Sequence, residues 1–327
     1  MTTLSIIIVT LNEATLIRNV KNAIDRLQRP PNLVMETILV DGGSTDGTVA
    51  QAMSLGFSKV LKHPDANIPL CRNKGLEATS GQWIAFLDGD CEPSVDWILK
   101  ALPYLEQPTP TLIGWPVEPP SPGTWVQRYW FIHWANKRRG GQNDAFRLIT
   151  TRNMLFHRII ADHLHGFDET LTTGEDTDFV LRATQAGFLV QAIPELRVIH
   201  YGEPATLRQF FRQQIWHANR TSYTKIVQAT GLQTGGHAVL FSTLFLGNLF
   251  LCIVAVALLL TFKCFYFMAL FLPLIALVAI PAGLMSLRAH TPRAFFPLGI
   301  LYAAYGLARS LDLAGFARNK RPWKKGS

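Results

Sequence analysis

Two stretches in the C-terminal half decide most of what this chain can fold into. Residues 238–262 run for 25 positions without a charge, and residues 264–287 for 24 more, interrupted only by Pro273 and Pro281. At about 1.5 Å of rise per residue, either run as a helix crosses a hydrocarbon core of about 30 Å. Helices buried in soluble domains are seldom so long and so uniformly apolar, so two membrane spans are expected. Lys263 marks the turn between them and is its one basic residue, which places that turn outside. A third apolar stretch, Phe295 to Phe316, contains Arg309 and Asp312, which fit a membrane centre poorly. A third crossing would also export Arg318, Lys320, Arg321, Lys324 and Lys325. Length favours a span, and charge favours a helix at the cytoplasmic interface. The charge pattern tips the expectation to the interface, with three spans the alternative.

Charge divides the chain just ahead of these runs. Residues 1–204 carry 18 Lys/Arg and 22 Asp/Glu, whereas residues 205–327 carry 13 Lys/Arg and one acid, Asp312. A balanced domain followed by a basic, apolar region suits contact with anionic lipid headgroups. Because the basic residues flank apolar runs, a membrane rather than nucleic acid is the expected partner, and protein partners are left open. Three spans at most leave no evident path for a transporter. The four cysteines (Cys71, Cys91, Cys252, Cys264) show neither metal-ligand spacing nor a disulfide framework, which reads as free thiols in a reducing compartment. The N-terminus opens directly as a strand, without the basic segment of a secretory signal.

The first 204 residues alternate apolar β-branched runs with helical spacing. Leu4–Val9, Thr37–Val40 and Trp83–Leu87 read as buried strands, with helices over Ala14–Leu27 and around 71–79. Such alternation indicates an open α/β sheet, whose ligands bind at the carboxyl ends of the strands. Three strand ends carry polar residues: Asn12-Glu13, Asp41, and Asp88-Gly89-Asp90. Gly89 lets the backbone turn so that both flanking carboxylates can face one hard cation, although Asp-Gly is also an ordinary turn. Asn12-Glu13 is equally readable as a helix cap. The Gly42–Gly47 loop lacks the Lys-Ser/Thr of a P-loop and shapes a turn around a nucleoside rather than cradling a triphosphate.

Residues 108–123, with Pro116, Pro119, Pro120 and Pro122, are expected to break regular structure. Trp125, Tyr129, Trp130, Phe131 and Trp134 then precede Lys137-Arg138-Arg139, which suits either a bilayer interface or an aromatic core patch beside a charged turn. Glu175 and Asp176 lie at the start of a helical stretch, where carboxylates often serve only the helix dipole. From Leu207 to Ile226, apolar Leu207, Phe210, Phe211, Ile215 and Ala218 interleave with Arg208, Arg212, Arg220 and Lys225. That is an amphipathic helix, packed on the catalytic domain or lying among headgroups.

The order of the motifs Val9-Thr10-Leu11-Asn12-Glu13, Val40–Thr48, Arg72-Asn73-Lys74-Gly75 and Phe86–Asp90 resembles the nucleotide-sugar half of family 2 glycosyltransferases, over roughly residues 4–220. That resemblance implies the GT-A fold, an open mixed sheet flanked by helices, here followed by C-terminal membrane helices. The implied layout is a catalytic domain at 1–204, an amphipathic interface helix and linker at 205–237, and a membrane region at 238–317. The last would hold spans at 238–262 and 264–287 and a third span or interfacial helix at 295–316, ahead of a basic tail at 318–327. The resemblance implies a donor-binding set of Thr10, Asn12, Glu13, Asp41, Arg72, Lys74, Asp88 and Gly89, with Asp41 on the base. Asp88 and Asp90 would be the family's DxD pair on the diphosphate and a divalent metal, Mg2+ or Mn2+. His200, after the strand-like Val198-Ile199, would complete the metal site, although a lone His there is as often structural. Asp176 would be the general base with Glu175 its neighbour, following the Gly166-Phe167-Asp168-Glu169 loop. Gln213, Gln214 and Trp216 stand where processive relatives carry Gln-x-x-Arg-Trp at the acceptor. They do not spell that motif, so processive polymerisation is not implied. Many relatives have Asp-Asp where this chain has Asp41-Gly42, which leaves uridine, guanosine and thymidine open.

The expected activity is inverting, metal-dependent transfer of a sugar from a nucleotide-diphosphate donor to a lipid or polyprenyl-linked acceptor. It would take place on the cytoplasmic face of the inner (plasma) membrane, in envelope or exopolysaccharide synthesis. Such a transfer needs a metal against charge on the leaving diphosphate and one carboxylate to take the acceptor proton. The alternatives are a polyprenyl-phosphate sugar synthase, whose acceptor is already ionised, and a catalytically silent scaffold binding nucleotide or lipid.

Overall fold

A computed structural model describes residues 2–137, 148–218, 232–263 and 265–313. They form two compact units. One comprises residues 2–120 and 148–203, and the other residues 121–137, 204–218, 232–263 and 265–313.

The first unit is built on a seven-stranded mixed sheet. Its strands are β1 (Thr2–Thr10), β2 (Leu33–Asp41), β3 (Lys59–Lys62), β4 (Trp83–Asp88), β6 (Thr111–Gly114), β7 (Met154–His157) and β8 (Leu189–Ala192), in spatial order β3-β2-β1-β4-β7-β6-β8. β1 pairs in parallel with β2 and β4, while β7 runs antiparallel to β4. Both faces of β1 are covered, which explains its unbroken apolar run. Leu4, Ile6 and Ile8 pack with Ile17, Val20 and Ile24 of the helix Ile17–Asp25 and with Trp97 and Ile98 of the helix Trp97–Leu105. Ile7 and Val9 pack on the other side with Ile38, Phe86, Cys71 and Leu76 of the helix Ile68–Ala78, and Phe179 of the helix Glu175–Gln185. Each such side chain contributes about 1.5–3 kcal/mol of burial energy.

The register fixes where the polar strand ends fall. Thr10 is opposite Asp41, and Val9 is opposite Asp88, so three motifs share one edge. A separate two-stranded sheet joins β5 (Cys91–Pro93) to β9 (Val198–His200), with Cys91 opposite His200. The proline-rich segment departs from expectation. Thr111–Gly114 is a fully buried strand held between β7 and β8, because its four residues fit in the proline-free gap between Pro110 and Pro116.

The second unit is helical. It contains the helices Trp125–Lys137, Leu207–His217, Leu232–Phe262, Leu272–Arg288 and Phe295–Leu313, with a 3-10 segment at Phe265–Phe271. Residues 121–137 lie inside the span expected for the catalytic domain but cluster here, because their aromatic residues find partners here. Trp130 meets Phe210 edge-on at 4.7 Å and Tyr302 at 5.9 Å, and His133 Nδ1 lies 2.8 Å from the Tyr302 hydroxyl. The aromatic patch is thus largely core, with Trp125 and Trp134 at its exposed margin. The amphipathic helix Leu207–His217 starts with a capping box between Thr206 and Gln209 and buries Phe210 in the same cluster. Arg138, Arg139, Arg220 and Lys225 lie outside the described residues, as do Cys264 and the basic tail.

Among the described residues, three segments are long and apolar enough to cross a membrane: Ala238–Phe262, Phe265–Arg288 and Pro292–Leu311, with mean hydropathies of 2.6, 2.4 and 1.2. Within its most apolar 18-residue stretch the third buries 44 per cent inside the protein, against 17 and 6 per cent for the others. Arg309 sits 4.6 Å from the Tyr305 ring, and Ser310 Oγ donates to the Ser242 carbonyl at 3.1 Å. Of the charges that favour an interfacial helix, Arg309 therefore has an internal partner.

Candidate active site

The first and second strand-end loops are knitted together by side chains. Asn12 adopts φ +57°, its backbone N–H donates to Ser44 Oγ at 2.7 Å, and its Oδ1 accepts from Thr45 N at 2.9 Å. Glu13 N donates to Thr48 Oγ1 at 2.8 Å. Asp41 is buried, and its carboxylate braces its own loop by accepting from Gly43 N at 3.0 Å, Ser44 N at 2.8 Å and the Ser44 hydroxyl. Gly89 closes the approach to β1, where a Cβ would lie 2.6 Å from Thr10 Oγ1 and 2.9 Å from Thr10 Cβ. Thr10 Oγ1 is buried and has no hydrogen-bond partner among the described residues, a polar atom available to a ligand at this edge.

Past Gly89, the β5–β9 pairing carries His200 to Asp90. His200 Nε2 stands 3.2 Å from Asp90 Oδ1, and both side chains are buried. His200 Nδ1 lies 3.0 Å from Glu203 Oε1, which also accepts from Arg152 Nη1 at 2.8 Å. Burial alone would push the imidazole down, but Asp90 and Glu203 more than offset it and hold it up to about 10. Burial likewise opposes ionisation of Glu203, yet His200 and Arg152 bring it down to about 2.

The donor set fits a hard divalent cation. Adjacent ligands of an octahedral ion with bonds near 2.1 Å stand about 3 Å apart, close to the Asp90–His200 separation. Gly202 supplies room, since a Cβ there would press on Asp90 Oδ2 and lie 2.9 Å from His200 Nε2. The tight group of potential ligands is Asp90, Cys91 and His200 rather than Asp88, Asp90 and His200. Burial pushes the Cys91 thiol well above its ordinary value, and a protonated thiol is a poor ligand for Mg2+ or Mn2+. Asp88 faces Arg72 instead, with Oδ1 3.9 Å from Nη2, and burial and Asp90 raise its carboxyl against the pull of Arg72.

Arg72 is the hinge between the two carboxylate clusters. From the helix Ile68–Ala78 it ion-pairs with Glu175, lies within reach of Asp88, and stacks 5.7 Å from the Phe167 ring. Its neighbour Asn73 clamps the Gly166–Glu169 loop, donating to Phe167 O at 2.9 Å and Glu169 Oε1 at 2.8 Å while accepting from Phe167 N at 2.8 Å. Next to Glu175 at the helix start, Asp176 is raised to about 6 by burial and by the Glu175 charge, against Arg72 and the Thr177 N–H. A carboxylate so tuned is ionised at neutral pH and more basic than usual. Replacing Glu175 with alanine strips the buried guanidinium of its close partner. A loss of about 3–5 kcal/mol of stability is expected, seen as a lowered fluorescence unfolding midpoint, and an unchanged midpoint would refute the pairing.

Residues 5–164 match the family model described as glycosyl transferase family 2. Those residues form a family 2 glycosyltransferase domain. Glycosyltransferase AglE of Haloferax volcanii is 28% identical over 236 residues, 68% of this chain and 77% of its own length. The PGL/p-HBAD biosynthesis glycosyltransferase of Mycobacterium bovis is 26% identical over 210 residues, 61% of this chain and 76% of its length. Among solved structures, a Pyrobaculum calidifontis mannosyltransferase in complex with GDP-Man and Mn2+ superposes with a TM-score of 0.58. It is 16% identical and is matched over 94% of this chain and 86% of its own. Residues 1–349 of S. aureus TarS, in complex with UDP-GlcNAc, give 0.52 at 12% identity over 96% and 92%. At those identities the likeness establishes the GT-A fold alone.

Within this glycosyltransferase, Thr10, Asn12, Glu13, Asp41, Asp88, Gly89 and Asp90 gather at one sheet edge, with Arg72, Glu175, Asp176 and His200 linked to it. Lys74 does not join them, because it ion-pairs with Glu77 at 2.7 Å along an exposed helix face. Gln213, Gln214 and Trp216 belong to the second unit, where Gln214 is buried and Trp216 lies 4.7 Å from His217. Sequence reading missed Arg152 and Glu203. Glu203 follows His200 by three residues, the one local signal that pointed to it.

Proposed function

We propose that this glycosyltransferase moves a sugar, with inversion, from a nucleotide-diphosphate donor to a lipid or polyprenyl-linked acceptor at the cytoplasmic face of the membrane. The observation that carries the reading is the Arg72 bridge between the Asp88-Gly89-Asp90 edge and the Glu175-Asp176 pair. Arg72 pairs with Glu175, the neighbour of Asp176, and stands 3.9 Å from Asp88 Oδ1, two residues from Asp90, which supports reading the two carboxylate clusters as one site. Asp90 and His200 would hold a divalent metal, with Asp88 on the diphosphate side. The metal supplies positive charge against the leaving diphosphate. Asp176 takes the proton of the acceptor hydroxyl as that oxygen attacks the anomeric carbon, and a single displacement of this kind inverts the centre. Thr10 Oγ1 and the braced Asp41 loop shape the nucleoside pocket.

Three apolar segments in the same chain favour an acceptor that is itself in the membrane. The metal reading is consistent with the Mn2+ bound in the Pyrobaculum mannosyltransferase structure. Membranes containing the protein, incubated with a panel of labelled nucleotide sugars and then extracted with organic solvent, should pass label from one donor into the lipid phase. The product should have the anomeric configuration opposite to the donor. Label confined to water-soluble products, or retained configuration, would contradict the reading.

A further inference from the structure

His200 is gripped at both ring nitrogens, and only one of them faces the proposed cation position. Nε2 is turned toward Asp90 Oδ1 at 3.2 Å, and Nδ1 toward Glu203 Oε1 at 3.0 Å. The same Glu203 oxygen accepts from Arg152 Nη1 at 2.8 Å, and that nitrogen lies 3.4 Å from His200 Nδ1. Arg152 belongs to the 3-10 turn Thr151–Asn153 that leads into β7, whose pairing of Met154 with Phe86 anchors it at the β4 edge. Glu203 returns to the ring through a tight turn, in which Tyr201 N donates to Asp90 O at 3.0 Å and Gly202 packs against the Asp90–His200 pair.

We infer that Glu203 and Arg152 position His200 as a metal ligand, a proposal that rests on reading Asp90 and His200 as the cation site. An imidazole binds a metal through one nitrogen, and the hydrogen bond at the other fixes tautomer and ring orientation. A carboxylate only accepts, so Glu203 keeps the proton on Nδ1, and the Nε2 proton is the one that a cation beside Asp90 displaces to solvent on binding. Arg152 fixes the carboxylate by a charge-assisted bond to the oxygen that faces the ring. A surface ion pair would need Arg152 and Glu203 alone. The shared oxygen and the buried ring make a chain of three, ending on the ligand.

The test is Mn2+ titration of the full-length protein by electron paramagnetic resonance, without donor, for the wild type, His200→Ala, Glu203→Gln, Glu203→Asp and Arg152→Lys. Glu203→Gln keeps shape but loses charge and is expected to weaken Mn2+ binding about 10–100-fold, with Glu203→Asp recovering part of the loss. Metal-free affinity for a nucleoside diphosphate should stay at the wild-type value. Arg152→Lys, the second variant should the Gln protein fail to fold, keeps the charge without the guanidinium fork and should weaken Mn2+ by about 10-fold. Wild-type Mn2+ affinity in both Glu203→Gln and Arg152→Lys would overturn the inference and leave the cation site standing. Undiminished binding by His200→Ala, or none by the wild type, would overturn the cation reading and the inference with it.

Discussion

Replacing Asp90 with asparagine is expected to cut sugar transfer at saturating donor and Mn2+ by about 10³-fold or more. The reason is electrostatic. Charge develops on the diphosphate as the glycosyl bond breaks, and a cation aimed at that charge is worth several kcal/mol of barrier, where about 4 kcal/mol corresponds to 10³ in rate. Asp90 supplies a buried carboxylate oxygen 3.2 Å from His200 Nε2. Asparagine keeps an oxygen to receive the imidazole N–H, so the β5–β9 junction should survive and the protein should still fractionate with membranes. Transfer at the wild-type rate, with or without added metal, would rule out Asp90 as a ligand.

The second large effect is at Asp176. Changing it to asparagine should slow transfer to a hydroxyl acceptor by about 10²–10⁴-fold, the usual worth of a positioned base, while donor affinity stays near wild type. The pH profile offers an independent handle. Burial and Glu175 raise Asp176 to about 6, and the base works only when ionised. The rate should therefore hold steady at neutral pH and fall as pH drops through about 6, whereas an ordinary carboxylate would hold the rate to about pH 4. A flat profile to pH 5, together with near-normal activity of the asparagine variant, would indicate a phosphate acceptor. A phosphate oxygen needs no base, so Asp176 would then only position it.

Local pattern carried the sheet well and the tertiary junctions poorly. β1, β2 and β4 were readable because both faces are covered, which leaves a nearly continuous apolar run ending abruptly in polar residues. Their shared edge follows from parallel register, so the meeting of Thr10, Asp41 and Asp88 was implicit in the sequence. β6 was not, since four buried residues beside several prolines carry no periodicity of their own. The pairing of His200 with Asp90 depends on two three-residue strands, one ending in proline, that lie more than a hundred positions apart. Lys74 misled because it sits inside a motif, although Glu77 three residues on is an ordinary helix-face partner. The aromatic segment after Gly123 drew attention to lipid, but its partners Phe210 and Tyr302 are distant in sequence and visible only once folded. That Arg309 lies over the Tyr305 ring, which lowers one of the charge objections to a third span, is likewise invisible in the sequence.

The central claim is that one chain transfers sugar from a nucleotide to a lipid through a cation held at the β4 edge. The most direct test is purified protein in liposomes with labelled nucleotide sugar and lipid acceptor, stripped of metal by chelation and then resupplied. Label should enter the lipid phase only after Mn2+ or Mg2+ is restored, and the Asp90→Asn protein should fail to respond. Lipid labelling that continues in the chelated sample would contradict the account.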